Sequence, residues 1–288
     1  MQKILNIVDK NFIKVDILNG IRKIQNVFYE KNIECFAAYE NKRLVGIVTK
    51  RELVAAHSNR IIADVMSDKY MCVNCYTHIW NIKELFDSDK NIDVIFVEDE
   101  NDIIGFITRT TLNIELSKHI DSLTGLYKSN YIYCNSYNLI KSGQNTTVVF
   151  IDLNNFGYID KTYGHVNGDI ILQNVAKVLK DNTDSHSYLC RYGGDEFAIL
   201  TSCCIEDSKR TAEKIINAIN SYEFPNGIPI SAAIGIASYK LNNNNNKISD
   251  IGDAINRLVN AASLASTKAK RDGNNSIIIE NVDIDAIA

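Results

Sequence analysis

No stretch of about 18 consecutive apolar residues occurs in this chain, so no segment is suited to cross a bilayer as a helix. The opening "MQKILNIVDKNF" alternates apolar and polar residues and lacks the apolar block of a signal peptide. An excess of one charge is missing too. Its 31 Lys and Arg against 35 Asp and Glu give a formal net charge of -4, mixed along the sequence. Without a long basic face, neither a nucleic-acid backbone nor an anionic membrane is expected as a partner. There is no even, regularly spaced cysteine set. The seven cysteines fit a reducing compartment better than a disulfide framework, and a cytoplasmic location is expected. Cys72 and Cys75 form one CxxC with no second Cys or His pair at zinc spacing, and read as small apolar residues on a strand. What is present is an ordinary globular composition, 45% hydrophobic, and length for two domains.

The first half repeats itself. "EKNIECFAAYENKRLVGIVTKREL" (30–53) and "DKNIDVIFVEDENDIIGFITRTTL" (89–112) align in order, and Gly46 and Gly105 set the period, 105 − 46 = 59 residues. Ahead of each copy, apolar residues recur at spacings of three and four: Ile21, Ile24, Val27 and Phe28, then Ile79, Ile82, Leu85 and Phe86. The unit therefore reads as helix, strand, turn, strand, helix. This arrangement resembles a pair of CBS motifs over roughly residues 8–115, with "IADVMSDKYMCVN" (62–74) as the entry to the second. The resemblance implies an adenine nucleotide held between the copies by a Thr and an acid three residues on. Thr49 and Glu52 supply that pair in the first copy; Thr108 is followed by Thr111 in the second. The alternative is a dimerising scaffold whose Thr residues simply suit strands.

Residues 111–121, free of Pro and Gly, read as a short joining helix. The expected organisation is a CBS pair at 1–113, a connecting helix at 114–120 and a second domain at 121–288. Within that domain, "VVFID" ends a strand buried on both faces with Asp152, at the strand end where α/β sheets build sites. Asp169 is expected to open an amphipathic helix carrying Ile171, Leu172, Val175, Val178 and Leu179. "SYLCRYGGDEFAILTS" (187–202) reads as a hairpin turning at Gly193 and Gly194. Helices over about 206–220 and 251–271, a strand over 228–239, a loop at Asn242–Asn246, a Gly273 cap and a closing strand "NSIIIE" complete one α/β domain.

Alone, "GGDEF" could be a turn with its acids in water. Asp152 changes that reading. A strand-end carboxylate and a hairpin-mouth carboxylate on neighbouring strands can share a hard divalent cation through oxygen, and magnesium bound so usually engages substrate phosphates. Gly193 and Gly194 let a base or phosphate lie against the backbone.

Six motifs in order, "DSLTGL" at 121, "FIDLNNF" at 150, "YGHVNGD" at 163, "RYGGDEF" at 191, "SAAIGIA" at 231 and "AKRDGNN" at 269, resemble the GGDEF domain of diguanylate cyclases. The resemblance implies an α/β (α+β) protein in which the CBS pair precedes a palm-like domain, its central, mostly antiparallel sheet flanked by helices. It implies that two GTP molecules on two facing domains of a homodimer condense to cyclic di-GMP with loss of two pyrophosphates. Carried onto these positions, Asp152, Asp195 and the Leu153 carbonyl would hold Mg²⁺ or Mn²⁺. Asp195 and Glu196 would complete the catalytic acids. Asp160, His165, Asp169, Gly193, Gly194 and Lys270 would line the GTP site, with Asp169 accepting from the guanine edge and Lys270 binding phosphate.

Departures from the family pattern are also visible. Asp160 stands where the family has Asn, and a carboxylate cannot donate to the base. Gly157 and Asn274 replace two phosphate-side cations, and Lys128 and Ser129 replace Asn-Arg. The feedback motif Arg-x-x-Asp is replaced by Asp184, Ser185, His186 and Ser187, so product inhibition there is not expected. Three readings follow: an active cyclase gated by its CBS pair, a GTP-binding regulatory module without turnover, or a nucleotide-sensing dimer whose second domain is a scaffold.

Overall fold

A computed structural model describes residues 4–100, 102–239, 251–272 and 276–282. The chain divides into two units, Met1–Lys118 and His119–Ala288.

The first unit runs β1 (Phe12–Asp16), α1 (Ile21–Lys31), β2 (Cys35–Glu40), β3 (Arg43–Thr49), α2 (Lys50–Ala55), then repeats as β4 (Tyr70–Asn74), α3 (Ile79–Ser88), β5 (Val94–Asp99), β6 (Asp102–Thr108) and α4 (Arg109–Ser117). The duplication is exact enough to copy an irregularity. A register shift after Ala38 in β2 recurs after Val97 in β5, one period later. Each copy also has a leading strand that the apolar pattern did not reveal. β1 and β4 are five-residue edge strands, and of their residues only Val15 is buried, so there is little apolar signal to read. The copies interleave: Asp9 bridges to Phe106 in β6, and Ser67 bridges to Ile47 in β3. Gly105 makes the first of these passages possible, because a Cβ there would run into the Asp9 carbonyl, whereas at Gly46 it would press on the flexible Met66 side chain. A joint core of Cys35, Ala37 and Ile47 with Val94, Phe96 and Phe106 then seals the pair. Of the helix expected over 114–120, residues 114–117 form the end of α4, which closes the second copy, and 118–120 are not helical.

The second unit runs β7 (Tyr127–Lys128), α5 (Asn130–Lys141), β8 (Thr146–Leu153), α6 (Phe156–Tyr163), α7 (His165–Asn182), β9 (Tyr188–Gly193), β10 (Glu196–Thr201), α8 (Ile205–Ser221), β11 (Ala232–Tyr239), α9 (Ile251–Asp272) and β12 (Ile277–Asn281). The sheet order is β12-β11-β8-β10-β9-β7. The four central strands pair antiparallel, and β12 and β7 join the edges in parallel. The helix read as opening at Asp169 begins at His165 instead. Gly164, with φ 83°, turns the chain out of α6 and into α7, and two buried residues, Phe156 and Ile159, anchor α6. The 228–239 strand starts at Ala232. The Asn242–Asn246 loop, Gly273 and Asn274 lie outside the described residues.

Strand alternation sorts the core into two layers. Val149, Ile151 and Leu153 of β8 meet α7 and α8, whereas Val148 and Phe150 meet α5 and α9. Gly235 on β11 sets how close α9 approaches, since a Cβ there would strike the backbone of Ala262 and Ser266. That close approach brings the last turn of α9 to the end of β8.

Candidate active site

By the same alternation Asp152 falls on the α9 side of β8, and Glu196 is its direct partner across the β8–β10 ladder. The last turn of α9 carries Lys270 to this point. Its Nζ donates to Asp152 Oδ1 at 2.8 Å and to the Leu153 carbonyl oxygen at 2.8 Å. A carboxylate and the next main-chain carbonyl thus converge on one cation. This all-oxygen donor set fits a hard divalent ion. Among the described residues, no group of three or more His, Cys, Asp or Glu side chains is arranged to hold a metal, Cys72 and Cys75 included.

Asp195 sits in the turn between β9 and β10, next to Gly194 at φ 46°, a conformation glycine adopts without strain. The sequence gives no role to the group that fixes this turn. Arg191 donates through Nε (2.9 Å) and Nη2 (2.7 Å) to the Gly194 carbonyl, and through Nη1 (3.0 Å) to Asp121 Oδ1. Asp121 also accepts from Thr124 N and Oγ1. Burial alone would raise the Asp121 carboxyl, but the Thr124 bonds and the Arg191 charge hold it below the usual value. Both residues stand at motif edges, in "DSLTGL" and "RYGGDEF", and this was the only signal that could have found them. A second tie on the β11 side has Asn154 N donating to the Ser231 carbonyl and Asn154 Nδ2 to Ser231 Oγ.

The α6–α7 corner holds the other expected positions. Asp160 Oδ2 lies 3.0 Å from His165 Nδ1, and the Asp160 carboxylate packs against Gly168, where a Cβ would strike Oδ1. His165 and Asp169 are exposed, one turn apart on α7. Electrostatics link this corner to the hairpin. The Asp195 carboxyl is raised above the ordinary carboxylate value mainly by burial, then by the charges of Asp152 and Asp160, with Lys270 pulling the other way. Glu196 is raised likewise, by burial first and then by Asp152 and Asp195.

In the first unit, Thr49 caps α2, and Glu52 completes a capping box by accepting from Thr49 N at 2.9 Å. Thr108 caps α4, accepting from Thr111 N at 3.1 Å. The acid expected for a ribose is therefore turned onto its own helix start.

A family model described as "Diguanylate cyclase, GGDEF domain" matches residues 118–276. The chain belongs to the GGDEF family. A CBS domain model matches residues 62–118, the second of the two copies, and a CBS pair precedes the GGDEF domain. Among curated relatives, the chain is 34% identical over 140 residues to "Diguanylate cyclase DosC" of Escherichia coli K12, covering 48% of this chain and 29% of that protein. It is 30% identical over 162 residues to the uncharacterized protein YtrP of Bacillus subtilis, covering 56% of this chain and 26% of that one. The chain thus spans under a third of the length of these relatives. Among solved structures, the diguanylate cyclase SiaD of Pseudomonas aeruginosa, in complex with its activator SiaC, overlays with a TM-score of 0.50 at 22% identity. The overlay covers 59% of this chain and 66% of that one, a likeness of fold.

Proposed function

We propose that this chain is a diguanylate cyclase that joins two GTP molecules into cyclic di-GMP and releases two pyrophosphates. The observation that carries the reading is the convergence of the Asp152 carboxylate and the Leu153 carbonyl on a single cation, with Glu196 opposite and Asp195 in the adjoining turn. A bound Mg²⁺ or Mn²⁺ would supply charge stabilisation at the α-phosphate and leaving pyrophosphate, and would acidify the attacking 3′-hydroxyl. Asp152, the Leu153 carbonyl and Asp195 would hold it. Asp195 then takes the proton from the 3′-hydroxyl as its oxygen bonds the α-phosphorus of the other GTP and the bond to the β-phosphate breaks. Glu196 keeps the pocket anionic enough to retain the cation. Gly193 and Gly194 offer no side chain to obstruct the phosphates, and Lys270 neutralises them. Asp169 accepts from the N–H edge of guanine, which adenine lacks, and His165 orients Asp160 beneath the base.

Each domain contributes half of a symmetric reaction, so two GTP-loaded copies must face each other and a homodimer is the working form. An adenine nucleotide at Thr49, Glu52 and Thr108 would regulate it by favouring one dimer arrangement. GTP as substrate implies a cytoplasmic setting. Among the described residues, no helix is long and apolar enough to cross a membrane.

Asp160 favours a second reading, a GTP-binding module without turnover, because a carboxylate there offers the base no donor. One experiment separates the two. The full chain is incubated with GTP and Mg²⁺ or Mn²⁺ and the product is weighed by mass spectrometry, with Asp195→Ala as control. Cyclic di-GMP from the wild type alone supports the cyclase; GTP bound and recovered intact supports the module. Removing residues 1–118 tests the regulatory half, and a rate and nucleotide response unchanged by the deletion would exclude CBS control.

A further inference from the structure

We propose that Lys270 is the resident cation of the nucleotide-free site, and that it keeps a divalent ion out until a triphosphate draws its ammonium away. The inference rests on the metal assignment above and concerns the order in which metal and nucleotide load. Lys270 Nζ does not stand beside the donor set; it donates to two of its three members, Asp152 Oδ1 and the Leu153 carbonyl, at 2.8 Å each. Those N–H groups point at the lone pairs that a metal would use. Magnesium requires its oxygens at about 2.0–2.1 Å in near-octahedral geometry, so a metal that takes the lone pairs the ammonium now uses must displace it. Two cations crowded into that space would also repel strongly.

Helix packing, not chance, delivers the ammonium. α9 lies close on β11 over Gly235, and Ala269, the residue before Lys270, is buried. The Lys270 side chain nevertheless keeps 32% of its surface exposed, against 14% for Asp152. It can swing outward while the carboxylate stays in place. What would pull it outward is a denser anion. A triphosphate offers several charged oxygens, each a charge-assisted acceptor, in exchange for one carboxylate and one carbonyl. Once the ammonium transfers, Asp152 and Leu153 are bare and the divalent ion can enter. The site then loads metal with nucleotide and stays closed to metal alone, and by linkage each raises the affinity of the other.

The test measures metal alone on the full-length protein, by the loss of the free Mn²⁺ paramagnetic resonance signal on titration. It compares wild type, Lys270→Met, Lys270→Arg and Asp152→Asn, each checked for native thermal unfolding. The expected result is that Lys270→Met binds Mn²⁺ alone about tenfold or more tightly than wild type, since a like charge has left the site. Lys270→Arg, which keeps the cation, should stay as weak as wild type. Adding a GTP analogue with a non-cleavable α–β bridge should tighten Mn²⁺ binding far more in wild type than in Lys270→Met. Equal or weaker Mn²⁺ binding in Lys270→Met, with Asp152→Asn abolishing the binding seen with analogue, would overturn the resident-lysine proposal and leave the metal site standing. No saturable Mn²⁺ binding in any variant, with or without analogue, would overturn both.

Discussion

Glu196 lies directly across the β8–β10 ladder from Asp152, and two carboxylates in register on neighbouring strands repel one another. That arrangement weakens the fold and serves the site. Burial and the neighbouring acids raise the carboxyls of Asp195 and Glu196 above their ordinary values of 3.8 and 4.5. The folded, nucleotide-free protein therefore holds protons that the unfolded chain has released, and its stability declines as pH rises from those values through the raised ones.

Glu196→Gln should accordingly raise the unfolding temperature of the nucleotide-free protein at neutral pH, with the gain fading below about pH 4, where both states are protonated. The same change should cost cyclase activity about a hundredfold or more, the scale of losing one electrostatic group at the reacting centre. Thermal unfolding from pH 3.5 to 8 beside a rate assay checks both halves. A variant less stable than wild type at pH 7 would contradict the repulsion.

Arg191 makes the opposite kind of contact. Its guanidinium spans the Gly194 carbonyl and Asp121, so it fastens the turn that carries Asp195 to the segment entering the domain. Asp121→Asn should destabilise the second unit by about 2 kcal/mol, the order of a charge-assisted hydrogen bond. The lowered Asp121 carboxyl sets the sign: its contribution is present above the ordinary value of 3.8 and is lost as pH falls through the lower folded value. Arg191→Lys should not rescue the turn, because an ammonium cannot place three N–H bonds in the fork geometry. Denaturant unfolding at pH 7 and pH 3 is the measurement, and an Asp121→Asn loss that persists undiminished at pH 3 would refute it.

The parts of the fold written in apolar periodicity were legible: the 59-residue duplication, the doubly buried β8, the GGDEF hairpin and the amphipathic α8 and α9. What escaped was structure that buries little. β1 and β4 are thin edge strands, and α6 rests on two buried side chains. The interleaving of the copies through Asp9 and Ser67 is backbone pairing and leaves no pattern in side chains. In the site, residue types and spacing named Asp152, Asp195 and Glu196, and the resemblance to the GGDEF domain named Lys270. No spacing rule could say that Lys270, 118 residues from Asp152, rests on that carboxylate or that Arg191 grips the turn carbonyl. Those relations depend on how α9 packs and how the hairpin bends, which are properties of the assembled sheet.

The CBS acid presents a conflict between two uses of one side chain. Glu52 accepts from Thr49 N in a capping box, yet an adenosine ribose in the cleft would need the same carboxylate. Glu52→Gln separates them, since a Gln carbonyl can still cap but is a poorer acceptor for two hydroxyls. Its unfolding temperature should stay near wild type while AMP affinity falls about tenfold, on the scale of one hydrogen bond to a charged group. Thr49→Ala should instead cost about 1 kcal/mol of stability in the first unit. Calorimetric titration with AMP beside thermal unfolding reads both, and unchanged AMP affinity in Glu52→Gln would remove Glu52 from the nucleotide site.

Asp160 stands where the resemblance to the GGDEF domain implies Asn, and its surroundings predict what Asp160→Asn would do. Its carboxylate is wedged against Gly168, which has no Cβ to displace it, and its other oxygen meets His165 Nδ1 at 3.0 Å. Asn has the same shape, so Asp160→Asn should fit without repacking, its carbonyl facing His165 and its amide supplying a donor on the Gly168 side. GTP-analogue affinity should rise about tenfold, equivalent to one net hydrogen bond of roughly 1.4 kcal/mol, and discrimination against ATP should sharpen. A second effect follows from charge: Asp160 helps raise Asp195, so its neutralisation should move the acid limb of the pH–rate profile to lower pH. Gly168→Ala is the matched opposite, since its Cβ expels the side chain at 160 and should weaken GTP binding. Analogue titrations and pH–rate profiles of the three proteins decide the matter. An Asp160→Asn variant with unchanged affinity and an unshifted acid limb would place Asp160 outside the base site.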